Sequence, residues 1–140
     1  MHRGGETAAV EETRYLASVA NGFGLAYLHV MRADFFGLQT GDVVGPAREV
    51  FGGTLVVNTG YDAVEAREGI ESGRFDAVAF GTKFLANPDL PARIASGAGL
   101  NDPRADLFYT PGPEGYTDYP SLPRKKEEEE KEEEQKQVVA

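Results

Sequence analysis

Three short apolar runs constrain this chain more than anything else in it: LAYLHV at Leu25 to Val30, TLVVN at Thr54 to Asn58, and AVAF at Ala77 to Phe80. Apolar runs of this length, bounded by turn residues, read as buried strands. Their starts are separated by about 29 and 23 residues, and each gap holds a helical pattern. Parallel strands need a crossover of a dozen or more residues, usually a helix, so this spacing predicts βαβ units and a parallel sheet.

The intervening segments carry start and stop signals. From Glu6 to Ala20 the residues Val10, Tyr15, Leu16 and Val19 recur at roughly helical spacing, and Asn21-Gly22 then supplies a left-handed stop. In DAVEAREGIESG, Asp62 is the expected cap, Glu65 completes a capping box, and Gly73 ends the helix. Asn87-Pro88 reads as a third start, with Asn87 as cap and Pro88 at the first helical position. That helix should run to about Ser96 and stop at Gly97. The expected order is αβαβαβα, followed by the loop-rich LNDPRADLFYTPGPEGYTDYPSL. From Arg124 the composition changes to RKKEEEEKEEEQKQVVA, a solvated charged extension, so one domain is expected over 1–123 and a tail over 124–140. Three strands with four helices form either a small open sandwich or part of an eight-unit (β/α) barrel, which needs roughly 250 residues. Periodicity leaves both open.

Composition narrows the chemistry. No cysteine is present among the 140 residues, which excludes disulfides, thiolate metal sites, iron–sulfur clusters and cysteine nucleophiles, and suits a reducing cytoplasm. His2 and His29 are too far apart in sequence for histidine-rich metal spacing. A formal net charge of −9 argues against nucleic acid or an anionic membrane as partner. No apolar stretch approaches the ~20 residues that span a bilayer, and the N-terminus lacks the apolar core of a secretory signal. A cytoplasmic location is expected.

Two strand ends resemble each other. After LVV comes Asn58-Thr59-Gly60-Tyr61-Asp62, and after AVAF comes Gly81-Thr82-Lys83. Each combines a glycine, a hydroxyl and a helix entry. Glycine lets backbone approach a ligand closely, and N–H groups at such a turn can face an anion. Ligands in α/β folds bind beyond the C-terminal ends of the strands. Many α/β turns contain Gly-Thr for conformational reasons alone, so the pattern is a weak signal. His29, sharing a strand face with Leu25 and Tyr27, reads as a packing residue. Asp76, Asp89, Asp102 and Asp106 read as caps, turns and surface charge, and Tyr109, Tyr116 and Tyr119 as packing residues. No serine–histidine–acid constellation is present.

AVAFGTKFLANPDLPARI, then LNDPRADLFY, then EGYTDYPSL, resembles the C-terminal end of the Old Yellow Enzyme family. LAYLHV is similar to that family's sixth strand, LVVNTGYDAVEA to its seventh strand and helix, and DAVAFG to its eighth. The resemblance runs from about Ala9 to Leu122. It implies part of a (β/α)₈ barrel and a parent activity in which NAD(P)H reduces FMN and reduced FMN reduces an activated alkene. By position it places Thr59, Gly60 and Tyr61 at one half of the FMN phosphate site, Gly81 and Thr82 at the other half, and Tyr109 near the flavin and the enone substrate. No metal is implied. Residue 82 departs from the family, which usually has arginine there; arginine would clamp phosphate bidentately, whereas threonine offers a hydroxyl and its N–H. The flavin-ring contacts, the histidine/asparagine pair that binds the substrate carbonyl and the proton-donating tyrosine come from earlier family strands with no counterpart here. The resemblance therefore implies a truncated reductase, inactive alone. The alternative is a non-enzymatic module that binds phosphate ligands or partner proteins. Exposed strand edges would favour self-association, or pairing with an N-terminal barrel half.

Overall fold

The computed structural model describes residues 3–34 and 41–123. The charged tail expected over 124–140 lies outside the described residues. The chain divides into two compact units, the first ending at Phe80 and the second starting at Gly81.

In the first unit, helix α1 (Arg3–Asn21) precedes strand β1 (Tyr27–Met31), helix α2 (Val44–Val50), strand β2 (Thr54–Asn58), helix α3 (Ala63–Glu71) and strand β3 (Ala77–Ala79). The sheet has the order β1-β2-β3 with both pairings parallel, as the crossover spacing predicts. Tyr27 is in register with Thr54, His29 with Val56 and Met31 with Asn58, while Asn58 also pairs with Ala79. Alternation then sorts the two faces. Leu28, Val30, Leu55, Val57 and Val78 join Ala17, Val44, Ala47, Phe51, Tyr61 and Phe75 in one core. The opposite face is bare: Tyr27, His29, Met31 and Ala79 are exposed, and Val56 and Asn58 only half-buried. Parallel sheets are normally covered on both faces. His29 is therefore not the packing residue that alternation suggested; it stands exposed on the uncovered face.

α1 inverts its expected stripe. Tyr15, Leu16 and Val19 are exposed, and the core-facing side is Ala9, Thr13, Ala17 and Ala20. Small side chains set how closely helices pack, and here they win over the larger apolar residues. The helix ends as Gly22 and Phe23 donate N–H bonds to the Val19 and Ala20 carbonyls at 3.0 and 3.1 Å. The left-handed residue is Gly24 (φ 63°), two positions beyond the expected stop. Asp62 caps α3 as predicted, its Oδ1 accepting from Glu65 N–H at 2.8 Å. Asp76 is structural: its Oδ2 accepts from Leu55 N–H at 2.7 Å and from Arg48 Nη1 at 2.9 Å, tying the start of β2 to α2.

The second unit contains helix α4 (Thr82–Ala86), helix α5 (Leu90–Ser96) and a 3₁₀ turn at Ala105–Leu107. The expected helix start moves by two residues, and Asn87 is not its cap. Asn87 is fully buried. Its Nδ2 donates to Lys83 O at 2.9 Å and its Oδ1 accepts from Asn101 N–H at 2.7 Å. Asn101 Nδ2 in turn donates to Ala86 O and Pro120 O, each at 2.8 Å. The Arg93 guanidinium, 6% exposed, donates to Asp89 Oδ1 (2.7 Å), Gly99 O (2.6 Å) and Pro120 O (2.7 Å). Asp89 Oδ2 also accepts from Leu122 N–H at 2.6 Å, and Gly97 (φ 69°) ends α5 as expected. Buried polar groups are retained where they are hydrogen-bonded, and these residues satisfy one another.

Candidate phosphate-binding turns

The turn after β2 is held in an unusual conformation. Thr59 and Gly60 both have φ of 75°. Glycine takes this region freely; a β-branched threonine does not, at a cost on the order of 1–3 kcal/mol. The sequence accounts for Gly60 and gives no warning of strain at Thr59. Compensation comes from Arg32, one residue past β1. Its backbone N–H donates to Asn58 O at 3.4 Å, and its Nε donates to Thr59 O at 2.8 Å. Its Nη1 pairs with the Glu65 carboxylate. The guanidinium carbon lies 3.8 Å from the centroid of the Tyr61 ring, a cation–π stack. The hydrogen bond to Glu65 raises the Arg32 pKa above its usual value, so the cation is permanent.

Tyr61 contributes differently from its expected role. Its side chain turns inward, 4% exposed, with its ring edge-on to Phe75 at 5.2 Å and 72°. Burial pushes its phenol pKa up. Only its backbone remains for a ligand. Gly60 is exposed, and a Cβ there would stand 3.3 Å from Arg32 Nη2, so glycine meets both the torsion and the space. At the end of β2 the buried Asn58 Oδ1 has no hydrogen-bond partner among the described residues, and so is an acceptor without a donor.

In the second unit the turn expected at Gly81-Thr82-Lys83 is already helical, ahead of the start expected at Pro88. Thr82 and Lys83 begin α4, with Gly81 as its cap residue. Gly81 has φ of −84°, which any residue adopts, and a Cβ there would meet nothing within 4 Å. Neither torsion nor crowding inside the unit requires glycine at 81. Gly81 and Thr82 are both exposed. Tyr109 is 98% exposed with φ of 64°, its N–H donating to Tyr116 Oη at 2.5 Å. A bulky side chain in left-handed backbone is a genuine outlier, and here its ring gains no burial. Tyr109 is not a packing residue. Tyr116 and Tyr119 are half-buried, and Tyr119 Oη accepts from Arg104 N–H at 2.8 Å. Thr59, Gly60 and Tyr61 thus form one turn of the first unit; Gly81, Thr82 and Tyr109 belong to the second. Arg32 was missed because the segment after β1 carries no glycine motif. A cation immediately beyond a strand's C-terminal end was the available clue.

Among the described residues no group of histidines and carboxylates is arranged to hold a metal, and no helix is long and apolar enough to cross a membrane. No family model matches the chain. Individual relatives do. A probable flavin mononucleotide-dependent alkene reductase of Leishmania infantum is 49% identical over 110 residues, covering 79% of this chain and 30% of that protein. The 12-oxophytodienoate reductase 2 of Arabidopsis thaliana is 38% identical over 115 residues, covering 77% and 30% respectively. Among solved structures, the old yellow enzyme of Trypanosoma cruzi superposes with a TM-score of 0.78 at 42% identity, covering 81% of this chain and 30% of that one. Morphinone reductase gives 0.73 at 40% identity, with coverage of 81% and 31%.

These matches, with a parallel sheet covered on one face only, define part of a (β/α)₈ barrel rather than a small open sandwich. The chain belongs to the Old Yellow Enzyme family. It spans about 30% of the length of the relatives it matches.

Proposed function

We propose that the chain belongs to an FMN-dependent, NAD(P)H-consuming alkene reductase and supplies part of its FMN phosphate site. The carrying observation is the strained Thr59-Gly60 turn, fixed by Arg32 at the C-terminal end of β2. Left-handed backbone in a β-branched residue persists only where its surroundings impose it, and such outliers cluster at ligand sites. The residues suit a phosphate. Gly60 and Tyr61 would offer backbone N–H groups, Thr59 a hydroxyl, and Arg32 a cation whose pairing with Glu65 offsets the nearest carboxylate. For Gly81 and Thr82 the support is the family resemblance, with the N–H and hydroxyl of Thr82 in place of arginine. Tyr109 would present its exposed ring to the flavin and substrate.

When bound, FMN supplies the two-electron chemistry that moves hydride from NAD(P)H to an activated alkene. The residues of this chain bind and orient; none is assigned a proton transfer. These 140 residues alone are expected to bind FMN and not to turn over. The test is an FMN titration followed by flavin fluorescence, with NADPH consumption monitored in the presence of an enone. Saturable binding weakened by Gly60→Asp or Gly81→Asp supports the reading, and absence of binding in a folded chain refutes it. Turnover would refute the claim of inactivity.

A further inference from the structure

We infer that Arg32 is the positioning residue of the Thr59-Gly60-Tyr61 turn, acting through the planar shape of its guanidinium rather than through charge alone. The link to phosphate rests on the function proposed above; the positioning claim concerns the turn itself.

Arg32 leaves β1 beside the end of β2, its N–H on Asn58 O. From there one side chain reaches the Thr59 carbonyl, the Tyr61 ring and the space beside Gly60. Its Nε holds the Thr59 carbonyl at 2.8 Å, the carbonyl of the strained residue itself. Its plane lies on the Tyr61 ring at 3.8 Å. Its Nη2 lies 3.3 Å from where a Cβ on Gly60 would stand. The outer edge is anchored to Glu65 in the first turn of α3. The guanidinium thus joins the end of β1, the turn after β2 and the start of α3. A lysine would keep the charge, yet an ammonium has neither the plane to stack on Tyr61 nor a fork to hold Thr59 and Glu65 together. A Cβ at residue 60 would crowd the guanidinium by a few tenths of an ångström, so glycine at 60 suits the position that Arg32 takes.

The first readout needs no ligand. In the isotope-labelled full chain, left-handed Thr59 gives a strong intraresidue HN–Hα cross-peak. Arg32→Lys and Arg32→Ala are expected to lose that cross-peak while Leu55 and Val57 in β2 keep their shifts. A retained cross-peak in both variants, or rescue by lysine, overturns the inference. If Arg32→Ala does not fold, Arg32→Lys and Glu65→Gln decide. Glu65→Gln keeps the Thr59 bond and the Tyr61 stack and should keep the cross-peak; its loss there would mean that the ion pair, not the planar contact, sets the turn.

The second readout compares FMN with riboflavin, which lacks the phosphate. In the unmodified chain FMN is expected to bind at least tenfold more tightly, and Arg32→Lys should remove most of that ratio. Equal affinities in the unmodified chain would defeat the phosphate reading and leave the positioning result standing. A preserved ratio in Arg32→Lys would defeat the positioning claim and leave the phosphate reading standing.

Discussion

Substituting Gly69 by alanine sets two opposed effects against each other, and the structure decides between them. Gly69 lies in α3, where alanine is favoured over glycine by about 1 kcal/mol through backbone entropy. Yet a Cβ at this position would meet Phe75 Cζ at 1.9 Å, with two further ring carbons at 2.5 and 2.6 Å. Phe75 is 1% exposed and meets the Tyr61 ring edge-on, so its ring cannot swing aside without disturbing that contact. Overpacking a core typically costs 1–3 kcal/mol, and a 1.9 Å approach belongs at the upper end. The net expectation is destabilisation of about 1–2 kcal/mol. At roughly 4–8 °C per kcal/mol for a unit of this size, thermal unfolding followed by circular dichroism should fall by about 5–15 °C. Phe75→Leu removes the clashing atoms and costs about 1–2 kcal/mol alone. In that background Gly69→Ala should be neutral or stabilising, so the double-mutant cycle should show coupling of the order of 1–3 kcal/mol. A rise in the melting midpoint for Gly69→Ala in the unmodified chain would refute the argument, because propensity would then have beaten packing.

Other consequences follow from the same geometry. Asn87→Ala removes the hydrogen bonds that Asn87 donates to the Lys83 carbonyl and accepts from the Asn101 N–H, and should cost about 2–3 kcal/mol in urea unfolding. The Leu122 N–H, then the Arg93 guanidinium, hold the Asp89 carboxyl below its usual 3.8, and Arg104 does the same for Asp118. Their stabilising contribution is complete above pH 3.8 and is lost as pH falls through the lowered folded values. Asp89→Asn should accordingly flatten the acid limb of the urea midpoint measured against pH. Burial raises the Tyr61 phenol, so its contribution holds below pH ~10 and is lost as pH rises from there through the raised value. Tyr61→Phe should make unfolding less sensitive to pH in that alkaline range.

How much of this was legible in the sequence differs by element, for physical reasons. β2 coincides with TLVVN because a short run with a β-branched, apolar centre between turn residues has few other stable arrangements. Asp62 could be read as a cap because the side chain and the N–H it bonds are three residues apart. α1 was legible as a helix and misleading as a surface: spacing marks apolar stripes, and nothing local says that an alanine face packs inward. Asn87 shows the same limit. Beside proline it has the local signature of a cap, yet its partners Lys83 and Asn101 lie 4 and 14 residues away. Arg32 could be noticed only as a cation just past a strand end; its role was not legible, since what it touches is 27 and 33 residues distant.

FLANPDL and GYTDYP, which lie in the stretches that carry the family resemblance, are structural. Asn87 and Asp89 from the first hold Asn101 and Leu122, and Asp118 and Tyr119 from the second hold Gly115 and Arg104. Such residues identify a family because each satisfies a buried or strained backbone group that few other side chains fit. They report that the second unit is built as its relatives are built. They do not report what it binds. Thr82 differs from the family pattern at an exposed position where nothing in the fold penalises the change. At the Thr59-Gly60 turn the strained conformation and the Arg32 side chain that bonds the Thr59 carbonyl are both present. Under the proposed function, phosphate binding rests on that turn, and measurements there weigh more than any at residue 82.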